Sequence, residues 1–146
     1  MLATEITLSY KNHVKASLRP KITSSKDAYD ILINTWADSK IEFVEHFKVL
    51  LLNRANKVLG LYEVSTGGIS GTVVDPKLIF AAALKANSSS IIMAHNHRSG
   101  NLDPSQQDKF LTTKIKQGGQ FLDLPLIDHL IVTSERYHSF ADEGLL

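Results

Sequence analysis

The chain has 146 residues, 43% of them hydrophobic, which is enough for one well-packed domain and too few for two ordinary ones. Lys plus Arg number 16 and Asp plus Glu 15, for a formal charge of +1. That balance gives no broad electrostatic footprint for nucleic acid and leaves a local patch as the only route to it. No cysteine occurs, so disulfides and thiolate-bound zinc are excluded, and a metal would need N and O ligands.

Residues Glu5 to Tyr10 alternate Ile6, Leu8 and Tyr10 with polar neighbours and predict a short strand. Arg19-Pro20-Lys21 reads as a connector. From Ser24 to Trp36, Ala28, Ile31, Leu32 and Trp36 recur at helical spacing behind a Ser24 or Ser25 cap, a stripe expected to pack into the core. The stretch from Phe43 to Leu52 turns β-rich at its end, and Asn53-Arg54-Ala55-Asn56 turns the chain into Lys57 to Tyr62, so a hairpin is expected. Gly67-Gly68 precedes another short strand, Ile69 to Val74, and Asp75-Pro76 opens a helix through Leu78, Ile79, Ala82 and Ala83.

After Asn87 and three serines comes an apolar run, Ile91-Ile92-Met93-Ala94, ending in His95-Asn96-His97. Side chains two apart on a strand share a face, so this strand end can aim both imidazoles at one point. Asp103 and Pro104 read as the cap and first residue of a helix, with Gln106 completing a capping box. On that helix Ser105 and Asp108, three apart, share a face in the first turn. Gly118-Gly119 is read as its stop. The nearly continuous apolar run Leu126 to Val132 fits a central strand covered on both sides. Strands and helices alternate, so the class is α/β with some antiparallel pairing.

Two histidines and one aspartate supply three ligands to a divalent metal and leave a fourth position open, the arrangement that separates a catalytic zinc site from a closed structural one. The expected ligands are His95, His97 and Asp108, with one zinc per chain. Asn96 points away from them if the strand continues, which gives it a structural role. His129 starts an apolar strand and fits a core or supporting histidine better than a fourth ligand. His13, His46 and His138 carry no usable signal.

The run His95-Asn96-His97-Arg98-Ser99-Gly100, with Pro104-Ser105 and Asp108, resembles the signature of the JAMM (JAB/MPN-type) metalloproteases, and more narrowly their RadC-like branch. The family pattern is an upstream Glu, then His-x-His, seven residues, Ser, two residues and Asp; here Arg98 to Pro104 and Gln106-Gln107 fill the two gaps. The likeness extends to Phe47–Asn53, Gly67-Gly68, Leu126-Ile127-Asp128-His129 and Ser139-Phe140, about two thirds of the chain. It implies a single α/β domain with a mixed sheet flanked by helices, of the kind also seen in zinc deaminases. It also divides the chain into an N-terminal strand-and-helix extension at 1–40 and the RadC-like domain at 41–146.

The resemblance assigns the proton-transfer role to Glu45, since Glu45-His46-Phe47 matches the register of the family glutamate; Glu42 and the weaker Glu63 are the competing carboxylates. Ser105 then donates its hydroxyl to the oxyanion, and the plain alternative is a hydroxyl bonded to nearby backbone. Arg98 stands where the RadC-like pattern has proline. It restores a backbone N–H and brings a permanent cation next to the second ligand, which either favours acidic substrates or points to solvent. RadC-like proteins commonly carry an N-terminal helix-hairpin-helix module for DNA, and the residues before 41 hold only a strand and one helix, so that module is expected to be missing.

Three classes of function follow. The first is a zinc-dependent hydrolase cutting a peptide, amide or isopeptide bond in an unidentified peptide or protein substrate. The second is nucleic-acid processing of the RadC type, which the near-zero charge speaks against, and the third is a metal-binding scaffold without turnover. Metal content separates enzyme from scaffold, and salt-dependent DNA binding tests the second class. No apolar run approaches the ~20 residues of a membrane span and the polar start lacks a signal-peptide core, so a cytoplasmic protein without membrane attachment is expected. Nothing in the sequence sets the oligomeric state.

Overall fold

The computed structural model describes residues 2–38, 40–67 and 74–146. Among the described residues, eight helices and strands form the domain, after a 3-10 turn at Ala16–Leu18. They are α1 (Ser25–Ile33), β1 (His46–Leu52), β2 (Val58–Thr66), α2 (Pro76–Lys85), β3 (Ser90–Asn96), α3 (Gln106–Phe121), β4 (Leu126–Val132) and β5 (Tyr137–Ser139). The strands make one mixed sheet in the order β2-β1-β3-β4-β5. Among the described residues, β3 and β4 run parallel, joined through α3, and the other pairs are antiparallel.

Alternation along the strands builds two cores, one on each face of the sheet. Leu50, Leu52, Ile92, Ala94, Leu130 and Val132 face α1, where Ala28, Leu32, Trp36 and Ile41 close over them. Val49, Leu51, Ile91 and Met93 face α2 and α3, against Ile79, Ala83 and Ile115. The helix placed by sequence in the N-terminal extension thus shares a core with the sheet. Helix α1 is capped by Ser24, whose side chain accepts from the Asp27 N–H, and α2 by Asp75 with Pro76 in its first turn. The expected hairpin forms between β1 and β2.

Three sequence expectations need correction. Glu5–Tyr10 is not a strand. Ile6 and Leu8 are 80% and 74% exposed, and the segment has no ladder among the described residues; alternation without a partner edge leaves the backbone to water, and only the side chains of Tyr10 and Asn12 reach the Leu59 carbonyl. Helix α3 begins after Ser105, not at Asp103-Pro104, because Ser105 and Asp108 cap it reciprocally while the Asp103 N–H is taken by Asn101 Oδ1. Gly118-Gly119 does not end α3, which runs on to Phe121. Gly119 is there for space: a Cβ would lie 2.2 Å from the Leu124 carbonyl oxygen. The strand expected at Ile69–Val74 falls, apart from Val74, outside the described residues. No helix among the described residues is long and apolar enough to cross a membrane.

Candidate metal centre

His95 lies on the α2/α3 face of β3, two residues beyond Met93, and His97 follows immediately after the strand. His95 is buried and its ring stacks on Phe47, with centroids 5.6 Å apart. Across from them, the first turn of α3 presents Asp108. His95 Nε2 and His97 Nε2 are 3.0 Å apart. Asp108 Oδ1 is 3.1 Å from His95 Nε2 and Asp108 Oδ2 is 3.1 Å from His97 Nε2. Each residue offers one ligand atom, and the three atoms lie within 4.8 Å of one another. Zinc bonds of ~2.0–2.1 Å in tetrahedral geometry set donors about 3.3 Å apart, and the contacts of 3.0–3.1 Å, which use both Asp108 oxygens, are of that order.

The electrostatics fit the geometry. Burial works to raise the Asp108 pKa, but hydrogen bonds with His95 and His97 outweigh it and hold the carboxyl far below the usual carboxylate range. The bond to Asp108 raises His97 against the opposing effect of burial, and the Glu45 charge adds to the rise. Two ring nitrogens and a carboxylate facing one another at 3.1 Å or less repel unless a cation or a proton lies among them.

Local structure explains each placement. The Ser105 Oγ accepts from the Asp108 N–H at 3.0 Å, and Asp108 Oδ2 accepts from the Ser105 N–H at 2.9 Å. The spacing of Ser and Asp is thus the spacing of a capping box, and the box aims the carboxylate. His97 Nδ1 lies 2.7 Å from the Asn101 carbonyl oxygen, so it donates and leaves Nε2 for the centre. His129 is fully buried, with Nε2 2.9 Å from His95 Nδ1 and Nδ1 2.7 Å from Thr112 Oγ1. It supports His95 and is not one of the three side chains that could hold a metal. Burial pushes its pKa well below the ordinary histidine value. The sequence carries one signal for Thr112: it stands four residues after Asp108, one turn further along the same helix face.

Asn96 turns to the opposite face, as strand alternation requires. Its Oδ1 accepts from the His46 N–H at 2.7 Å, and its Nδ2 donates to the Ile41 and Val44 carbonyls at 2.7 and 2.8 Å. Those bonds fasten the segment that holds Glu45, which is half-buried and whose own carbonyl accepts from the Gly67 N–H. Glu63 is drawn to His46 Nδ1 on the neighbouring strand pair. Glu42 is exposed and lines an open cleft of about 510 Å³ with Phe43, His97, Arg98, Thr133 and Arg136. Ser105 is also exposed, and its cap role uses an oxygen lone pair, leaving the hydroxyl proton for another acceptor.

A mixed five-stranded sheet with helices on both faces and a His-His-Asp cluster at the carboxyl end of its middle strand defines an α/β domain built around a potential metal site. The model of the RadC-like JAB domain family matches residues 22–145, and the chain belongs to that family. A UPF0758 protein of Flavobacterium johnsoniae is 47% identical over 125 residues, which cover 86% of this chain and 53% of that protein. A UPF0758 protein of Methanosarcina mazei is 37% identical over 126 residues, 86% of this chain and 54% of its own length. The corresponding Staphylococcus haemolyticus protein is 37% identical over 124 residues, 85% of this chain and 53% of its own. The chain spans about half the length of these curated relatives.

Proposed function

We propose that the domain is a zinc-dependent hydrolase of the JAMM type, cleaving a peptide, amide or isopeptide bond. The observation that carries this reading is the gathering of His95 Nε2, His97 Nε2 and the Asp108 carboxylate, with contacts of 3.0–3.1 Å that use both carboxylate oxygens. The all-N/O donor set suits zinc, and with three protein donors a coordination position stays open for chemistry. Bound there, zinc supplies a Lewis acid for a carbonyl oxygen and makes water acidic enough to attack near neutral pH.

The chain's own residues do the rest. Glu45 stands within electrostatic reach of His97, where its carboxylate takes the proton of the attacking water and returns it to the leaving nitrogen. Ser105, at the exposed cap of α3, donates its hydroxyl to the carbonyl oxygen as negative charge develops. The cleft beside His97 receives the substrate chain, a peptide or protein segment.

Elemental analysis and a peptidase assay test the reading together. The wild-type protein should take up one zinc per chain, and His97→Ala should lose nearly all of it. Glu45→Gln should keep metal and fold but turn over roughly 10²–10⁴-fold more slowly. One zinc per chain in His97→Ala would overturn the ligand assignment. Full activity in Glu45→Gln with collapse in Glu42→Gln would move the base to Glu42.

A further inference from the structure

We propose that Thr112 and His129 are positioning residues that fix the tautomer of His95, placing its proton on Nδ1 so that the bare Nε2 faces the metal position. The inference rests on the reading of His95, His97 and Asp108 as a metal site. It follows from counting protons along one hydrogen-bonded chain.

Thr112 Oγ1 lies 2.8 Å from the backbone carbonyl oxygen of Asp108, one turn back in α3. A carbonyl only accepts, so the single hydroxyl proton of Thr112 is committed there. The same oxygen lies 2.7 Å from His129 Nδ1. With its proton spent it can only accept, so His129 carries hydrogen on Nδ1. His129 has no exposed surface and sits between the rings of Phe47 and Phe140, with centroids at 5.8 and 4.6 Å. An apolar enclosure favours the neutral ring with one proton, which leaves His129 Nε2 an acceptor. That nitrogen is 2.9 Å from His95 Nδ1, so His95 donates from Nδ1, and Nε2 is the nitrogen that turns to the metal position, where without a metal a proton shared with Asp108 lies instead.

The chain begins at the carbonyl of Asp108 and ends beside its carboxylate. One residue of α3 thus sets the polarity of the hydrogen bonds and also supplies a ligand. His97 reaches the same tautomer by a different device, its Nδ1–H on the Asn101 carbonyl. Both rings then present Nε2, and metal binding needs no proton shift within either ring.

The test uses the metal-free protein labelled with ¹⁵N-histidine, read by long-range ¹H–¹⁵N correlation spectra at mildly alkaline pH, with the His95 signals assigned from their absence in His95→Gln. Wild type and Thr112→Ser should show His95 protonated on Nδ1. Thr112→Val keeps the shape and removes the hydroxyl, so His129 loses the acceptor for its Nδ1–H and His95 should move toward the Nε2–H form. Zinc affinity, measured by competition with a chromophoric chelator, should fall about 10–100-fold in Thr112→Val and return in Thr112→Ser. A wild-type His95 protonated on Nε2 alone, with no hydrogen on Nδ1, or equal spectra and affinities for the Val and Ser variants, would overturn the proposal. Nδ1–H on His95 in a wild-type protein that takes up no zinc would uphold the tautomer and remove the metal reading instead.

Discussion

Replacing Asn96 by alanine should separate the hold on Glu45 from the hold on the metal. Asn96 sits between the two histidines but faces the other side of the sheet, where its side chain satisfies the His46 N–H and the Ile41 and Val44 carbonyls. Truncation strands those three backbone groups in a site where Asn96 itself has no exposed surface. Each stranded buried group costs about 1–3 kcal/mol; allowing water to reach the more exposed ones, the sum is about 3–5 kcal/mol. For a chain of this size each kcal/mol moves Tm by about 2–4 °C, so melting should fall on the order of 10 °C. Zinc should still bind at one per chain below the new Tm, because no ligand touches the lost amide. Turnover by the proposed mechanism should drop by about 10²-fold, since residues 41–46, Glu45 among them, lose their anchor to β3. Calorimetry, elemental analysis and a peptidase assay on one preparation give all three quantities. A melting temperature within about 2 °C of wild type, or loss of zinc in parallel with activity, would refute the reasoning.

The two glycines of α3 should respond oppositely to alanine. Gly119→Ala puts a Cβ 2.2 Å from the Leu124 carbonyl oxygen, and the overpacking cost of about 1–3 kcal/mol should exceed the gain in helix propensity and lower Tm in a thermal melt. Gly118→Ala meets only the end of the Phe80 ring at 3.0 Å; the ring can swing, and the propensity gain of up to about 1 kcal/mol should leave Tm unchanged or slightly higher. Lys48 is buried on β1, its Nζ 2.9 Å from the Thr35 carbonyl oxygen and 4.3 Å from the Trp36 ring centre, and desolvation lowers its pKa from 10.5. Between the lowered value and 10.5 the unfolded chain binds more protons, so this residue makes stability rise as pH climbs through that window and withholds stability below it. Lys48→Met should remove that part of the alkaline rise in denaturant midpoints measured across pH; an unchanged slope would show that Lys48 is not desolvated.

Much of this architecture is legible from periodicity because both sheet faces are covered. The apolar runs at Ile91–Ala94 and Leu126–Val132 mark the parallel pair β3 and β4, and the hairpin turn and the Asp75-Pro76 start are local signals that tertiary contacts reinforce. Two distant pieces of the family likeness prove to be neighbours: Asp128 accepts from the Ser139 hydroxyl at 2.6 Å and His129 stacks on Phe140. The errors have a common cause. Alternation at Glu5–Tyr10 cannot report that no edge receives it, and Gly118-Gly119 cannot report the approach of the Leu124 carbonyl. Asp103 and Ser105 are both good cap residues, and the choice between them is made by the reciprocal bonds of Ser105 and Asp108. Thr112 was invisible because its partner His129 lies across the fold, on β4.

The first two turns of α3 organise the centre more than the histidine strand does. The strand offers two imidazoles on one side, but an imidazole on its own can present either nitrogen and rotate about its bonds to the backbone. What removes those freedoms comes from α3 and the loop before it. The capping box orients the Asp108 carboxylate, Thr112 leads through His129 to His95, and the Asn101 carbonyl takes the His97 Nδ1–H. The spacing of seven residues between His97 and Ser105 is therefore a length of chain that must bring a helix start back over the end of β3, with Asn101 placed on the way to hold a ring. The three side chains come together with Arg98 in that loop. The order of cause runs from helix cap to the placement of the three side chains, and from there to whatever chemistry the cluster supports.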